Sequence, residues 1–353
     1  MSARDEISTP SDSVAPVTDR PSVSGSRPSV LFVGGLGRSG STVLELILAQ
    51  SPDVCAVGEV VHLWERALGG DERCGCGVRF SACAFWQQVG AHAFGGWSRV
   101  DGREVLALKD QVDRTRHVFR LARGRLPGEH LDAVRRYAEF YTRIYRAAAE
   151  VTGARVVIDS SKHASTAFVL RWAPDLDLRV LHMVRDSRAV AYSWGKQVRR
   201  PEVVDGEAYM PVFSPLRVST LWLAQNAAFH LLAGRVPVTR LRYEDFTADP
   251  RGTVRRMRRF VGLPDTDGAL RVLDEPPVAP RPTHSIAGNP LRFVDGPLRV
   301  RGDEAWRSAL PRRSRALVSA ATLPMRLRYG YLGRPARRSR PSGQLGTNLT
   351  EAP

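Results

Sequence analysis

Residues 29–50 read SVLFVGGLGRSGSTVLELILAQ. An apolar, β-branched run, Val30 to Val33, leads straight into glycines and small hydroxyl residues. An apolar-periodic segment follows, with Val43, Leu44, Ile47 and Leu48 on one face. The pattern predicts strand, tight loop, helix. With few Cβ atoms in the way, the backbone N–H groups of Gly37, Arg38, Ser39, Gly40, Ser41 and Thr42 can converge on an anion, and the first helical turn adds unpaired donors. Arg38 puts a permanent, forked cation in this loop. From Gly35 the spacing is G-x-x-x-x-G-x-T, that of a nucleotide-phosphate loop, yet Ser41 stands where that motif carries its lysine. Plain triphosphate chemistry needs that lysine. The competing reading is an ordinary Gly/Ser turn.

Outward from this stretch, strand and helix alternate. Val156–Asp159 is read as a strand followed by Ser160, Ser161, Lys162 and a helix to about Trp172. Leu178–Val184 is a strand running directly into Arg185-Asp186-Ser187 and a further helix. Val236–Tyr243 is a fourth strand, interrupted by Pro237. The expected fold class is therefore α/β, a three-layer parallel sheet with a phosphate-binding loop. Ligand sites in such sheets lie beyond the carboxyl ends of the strands, where Arg38–Thr42, Asp159–Lys162 and Arg185–Ser187 all fall. A long amphipathic helix is expected over 130–151, and Val105–Lys109 reads as a small strand or the start of a loop. The 202–219 segment is long enough to be an active-site lid. Residues 1–27 and 334–353, rich in Ser, Pro, Arg and Gly, read as disordered tails flanking one domain over 28–333.

Composition sets limits. The chain has 353 residues, 43% hydrophobic and 25% charged, ordinary values for a globular protein. No apolar run is long enough for a membrane span. The polar N-terminus lacks a leader pattern, which gives a cytoplasmic expectation. The net charge of +16 is almost all arginine, with lysine only at 109, 162 and 196. It favours anionic ligands, though the charges are spread along the chain. Neither a zinc finger nor an aromatic-basic strand pattern supports nucleic-acid binding. Cys74, Cys76 and Cys83 form a C-x-C-x6-C cluster. Three thiolates there would suit zinc, with Cys55 or a histidine as fourth ligand, but a cystine or packed reduced thiols fit as well.

Three chemical groups stand out. Arg185 and Ser193, eight residues apart, can grip one phosphate; a salt bridge of Arg185 with Asp186 or Glu202 is the alternative. Asp186 reads as a helix cap or an arginine brace. Glu59, after Gly58, is placed to take a proton beside the cradle, or simply to sit at a helix start; His62 is the rival base. Lys162 can reach into the cleft to offset charge on a leaving phosphate, with Asp159 orienting it or beginning a cap. His163 is read as facing solvent.

This constellation resembles the sulfotransferases that use 3′-phosphoadenosine 5′-phosphosulfate, in particular the bacterial branch related to the tyrosylprotein-type enzymes. Gly37 to Thr42 resembles the family's 5′-phosphosulfate loop, and VRDSRAVAYSWGK, residues 184–196, resembles its 3′-phosphate motif. The resemblance implies that Glu59 is the catalytic base, that Lys162 and Arg38 are catalytic cations, and that Tyr243 in LRYEDFTADP contacts adenine. It also implies that HSIAGNPLRF, residues 284–293, closes on the 3′-phosphate with Arg292 as its cation. The implied donor is that nucleotide, with no metal required. The implied acceptor is a hydroxyl, or less commonly an amine, of a small molecule, carbohydrate or lipid. A homodimer is left open. The segments 60–100, 200–218 and 274–300 are expected to line the acceptor pocket, with Trp64, Phe85, Trp86 and Trp97 either stacking on the acceptor or filling the core. A nucleotide-dependent kinase of related fold and a non-enzymatic anion or nucleic-acid binder are the rival functions.

Overall fold

The computed structural model describes residues 27–332 apart from 205, 266, 275–277 and 294. Both tails, save Arg27, lie outside the described residues. The strands β1 to β5 are Ser29–Gly34, Val54–Gly58, Val156–Lys162, Asp177–Val184 and Val238–Arg242. They form one parallel sheet in the order β2-β3-β1-β4-β5. β1 is central, and the chain order reverses there: β3 lies on one side and β4 on the other. This is the topological switch point of the sheet, where parallel α/β folds place their ligand sites.

The two-residue period of β1 explains how both faces are covered. Val30 and Phe32 point into one core, Leu31 and Val33 into the other. All four are essentially inaccessible to solvent, each contributing roughly 1.5–3 kcal/mol of burial. The second face is covered by α1 (Ser41–Leu48) and by a C-terminal helix described below. On the first face lie α2 (Ala84–Phe94), α3 (Gly102–Val112), α4 (Val118–Leu121), α5 (Gly128–Thr152) and α6 (Ala164–Leu170). α7 (Ser187–Trp194) follows β4, and α8 (Pro215–Leu232) packs against both α6 and α7. After β5 come α9 (Tyr243–Ala248) and α10 (Pro250–Phe260), the latter packing on α1. The described chain closes with α11 (Trp306–Ala309), α12 (Arg312–Ala321) and α13 (Leu323–Arg328).

Two local readings change. Val105–Lys109 is helical, inside α3, because Asp101 caps the segment by accepting from the amides of Arg103 and Glu104. Pro237 does not interrupt a strand; it precedes β5, where its missing N–H costs nothing. Trp64, Phe85, Trp86 and Trp97 are all buried in the first core. Trp97 donates to the Trp86 carbonyl at 2.8 Å. These rings build the scaffold and are not free to stack on an acceptor.

Candidate active site

The cradle is fixed by glycines that no other residue could replace without movement. Gly35 has φ +137°, and a Cβ on it would lie 2.2 Å from the Met183 carbonyl oxygen of β4. Gly40, the residue before α1, has φ +91°, and a Cβ would meet the Tyr243 ring at 2.5 Å. Having no side chain, Gly40 cannot cap α1. The first-turn amides of α1 are thus left for an outside acceptor. Ser39 is spent on the turn, its hydroxyl donating to the Leu36 carbonyl at 2.7 Å. Arg38 also takes positive φ, 74°. Its guanidinium lies over the Trp194 ring at 5.3 Å and against the Met210 sulfur at 2.9 Å. Ser41 is buried at the start of α1 and Thr42 follows it, half-buried.

Arg185, at the end of β4, is brought to the same loop. It donates from Nη1 to the Arg38 carbonyl at 3.0 Å and lies over the Tyr243 ring at 4.4 Å. Its acidic partner is neither Asp186 nor Glu202. It is Asp303, at 3.0 Å. Asp186 caps α7 through the Arg188 amide and braces the Arg188 guanidinium, combining both roles expected of it. Ser193 is half-buried one helix length further along α7, next to Trp194, whose indole donates to the Gly37 carbonyl at 3.0 Å. Tyr243 opens α9 and donates to the Arg301 carbonyl at 2.9 Å. The Nε atoms of Arg38 and of Arg185 are both buried and have no partner. Two orphaned guanidinium donors beside an uncapped helix start suit a ligand with more than one anionic group.

On the other side of β1, titratable groups gather at the ends of β2 and β3. Lys162 has φ 69°, and this turn swings its ammonium back onto Glu59, with which it forms an ion pair. It also donates to the Ser160 carbonyl at 3.2 Å. Burial acts to raise the Glu59 pKa, but the Lys162 ammonium beside it outweighs burial and holds the carboxyl below its ordinary range. Glu59 is therefore a carboxylate with its cation attached. His62 lies 3.6 Å from the same carboxylate, and burial pushes its pKa down to about 3, so it is neutral. His163 does not face solvent: it is half-buried, edge-on to His62 at 5.9 Å.

Asp159 does not orient Lys162. Its carboxylate turns into the sheet face, accepting from the Ser161 amide at 2.7 Å and from the Tyr145 hydroxyl. Burial raises its pKa to about 7. Arg292 also departs from its expected place. Its guanidinium is buried and donates to the carbonyls of Ser285 (2.6 Å) and Arg73 (3.2 Å), not to the Arg185 station. The segment that does reach Arg185 and Tyr243 is the later one, Arg301–Asp303.

Two further participants escape sequence reading. Glu45 looks like a polar interruption in α1, yet it is buried. One of its oxygens accepts from the Gly58 amide (3.0 Å) and the Ser285 hydroxyl (3.1 Å), the other from the Ser160 hydroxyl (2.6 Å). Burial raises its pKa. Lys109 is buried beneath the site, donating to the Val61 carbonyl at 2.6 Å. The 202–219 stretch is not a free lid. Glu202 is inaccessible and paired with Arg66 and Arg200. A short antiparallel pairing of Arg199 with Tyr209 then presents Met210 to Arg38. Tyr209, Val212 and Leu216 remain exposed on its outer edge.

Together these elements make an α/β protein whose parallel sheet carries a glycine-rich loop with an uncapped helix start after its first strand and cationic side chains after both neighbouring strands. A model of the sulfotransferase family matches residues 28–267, and the chain belongs to that family. No curated protein matches it. Solved structures similar to it include the sulfotransferase domain from the olefin synthase of Synechococcus PCC 7002 (20% identity, covering 85% of this chain and 96% of that one, TM-score 0.39). A sulfotransferase from Mycobacterium avium is 14% identical over 86% of this chain and 76% of its own, with TM-score 0.42. One from Alicyclobacillus acidocaldarius is 17% identical over 86% and 96%, with TM-score 0.38. No helix among the described residues is long and apolar enough to cross a membrane.

Proposed function

We propose that this sulfotransferase takes its sulfonyl group from 3′-phosphoadenosine 5′-phosphosulfate and passes it to a hydroxyl, or secondarily an amine, of a small-molecule, glycan or lipid acceptor. The observation that carries the reading is the bond from Arg185 to the Arg38 carbonyl. It makes the loop and the end of β4 adjacent stations, fit for one nucleotide with two separated phosphoryl groups. The loop amides and Arg38 take the 5′-phosphosulfate. Arg185, with Ser193, takes the 3′-phosphate, and the Tyr243 ring between Gly40 and Arg185 is placed for the nucleoside. When bound, this donor supplies an activated sulfonyl group on a phosphate leaving group.

The chain's own residues do the rest. Glu59 is held ionised by Lys162. An anion arriving at the cradle competes for the Lys162 ammonium. That frees a Glu59 oxygen to accept the acceptor's proton, while Lys162 and Arg38 offset charge on the departing phosphate. The exposed Tyr209, Val212 and Leu216 form an apolar lip suited to an acceptor with a nonpolar portion. A cytoplasmic setting, in which thiols stay reduced, is part of this reading.

The test uses the full chain with the nucleotide donor and a panel of hydroxylated acceptors, with products read by mass. Alongside it, thermal shift compares 3′,5′-adenosine bisphosphate with 5′-AMP. Transfer to at least one acceptor and a larger shift with the bisphosphate are expected. Equal shifts from the two nucleotides would remove the second anion station.

A further inference from the structure

The C-x-C insert plays no part in the site above, yet its thiols are gathered. Cys74 opens a tight turn in which its amide donates to the Val78 carbonyl and the Gly77 amide donates back to the Cys74 carbonyl, both at 2.8 Å. This turn brings the thiols of Cys74 and Cys76 to one side. Cys83 precedes α2 and adds a third. The fourth group arrives from 201 residues away: His284, whose Nδ1 is 3.4 Å from the Cys83 sulfur and 3.8 Å from that of Cys74. The Cys83 sulfur is 3.7 Å from each of the other two sulfurs. All four donor atoms lie within 4.8 Å of one another.

We propose that Cys74, Cys76, Cys83 and His284 form a structural zinc site that holds the 283–288 segment against the active-site strand. Zinc prefers four ligands in a tetrahedron, with Zn–S about 2.3 Å and Zn–N about 2.0–2.1 Å. Such a tetrahedron has S···S edges of about 3.8 Å and S···N edges of about 3.5 Å. The four separations above match those edges. A donor set of three sulfurs and one nitrogen also selects zinc over the harder divalent ions.

The surroundings suit the ion. The His284 ring is stacked on Phe85 at 4.6 Å and 13°, which fixes its plane, and its carbonyl accepts from the Trp86 indole at 2.8 Å. Three thiolates and one imidazole around Zn²⁺ leave one net negative charge. Arg292 is a buried cation nearby, and it binds the carbonyls on both sides of the cluster, at Arg73 and Ser285. Its Nε is buried without a partner. Cys76 and His284 are half-exposed, which gives the metal an entry path.

The clamp reaches Glu59. The Gly75 amide donates to the Ser285 carbonyl at 3.0 Å; the Ile286 amide donates to Val57, and the Glu59 amide to Ile286, at 2.9 and 2.7 Å. The zinc therefore lies outside the transfer chemistry but sets the loop that hydrogen-bonds the backbone of the proposed base. This site stands whatever group the enzyme transfers.

The experiment measures zinc by elemental mass spectrometry in the full chain purified without chelator. About one zinc per chain is expected, and a small fraction of one overturns the proposal. Cys55→Ser alters a thiol confined to β2 and should keep the metal, whereas Cys83→Ser should lose it; equal contents would place the metal elsewhere. Should Cys83→Ser not fold, cobalt exchange into the wild-type chain decides: thiolate-to-cobalt charge-transfer absorption supports the site, and its absence refutes it. An unreduced intact mass two hydrogens short would reveal a cystine instead, also refuting it.

Discussion

The two flanks of β1 solve opposite electrostatic problems. On the β4 side the groups are arginines, held by carbonyls and aromatic faces, with Nε atoms left unpartnered. On the β2–β3 side they are carboxyls: Glu59 is paired with Lys162, and Glu45 and Asp159 are buried with raised pKa values. On the proposed function, one flank would receive negative charge and the other would hold and release a proton. That reading divides binding and proton transfer between separate strand ends, and substitutions on each side test the division.

The division is challenged most severely at Glu59. Glu59→Gln keeps the shape but loses the carboxylate; kcat should fall about 10²–10⁴-fold, with the thermal shift by 3′,5′-adenosine bisphosphate retained. Near wild-type turnover would strip Glu59 of its role. Next in size is Arg185→Ala. It should weaken bisphosphate binding about 10–100-fold, the loss expected for a charged hydrogen bond of about 1.5–3 kcal/mol, while 5′-AMP binding changes little. Equal losses for both nucleotides would mean that the arginine only shapes the loop. The smallest effect probes the cationic flank by itself. Asp303 occupies Arg185 at 3.0 Å and is partly exposed. Asp303→Asn should tighten the bisphosphate by less than about tenfold, as expected on removing a weak, solvent-screened competitor. Weaker binding would show that Asp303 positions the arginine instead of competing for it.

How much of this is legible in the sequence depends on separation along the chain. The cradle is local: its glycines, Arg38 and the following helix lie within one short stretch, and their pattern follows from backbone sterics. Glu59, Lys162 and Arg185 are legible because each ends an apolar strand, and parallel strands end on the same side of a sheet. Asp303 and His284 are not, because both sit in loops that show no periodicity and reach their partners from more than a hundred residues away. Arg292 is misplaced by sequence reasoning for the same cause: a cation in a late loop can turn to either side, and here the carbonyls of Arg73 and Ser285 claim it. Glu45 hides in plain view as a charged residue on an apolar helix. Val105–Lys109 misleads because a short aliphatic run, with β-branched Val105 at its head, draws attention from the Asp101 cap that starts the helix.

Glu45 has a consequence of its own. A single side chain on α1 is tied at once to the end of β2, the end of β3 and the Ser285 loop. The helix that follows the glycine loop thus shares a fastening with the strand that leads into Glu59. If the proposed roles hold, Glu45 sets the distance between nucleotide and base while touching neither reactant, a gauge built into the first helix.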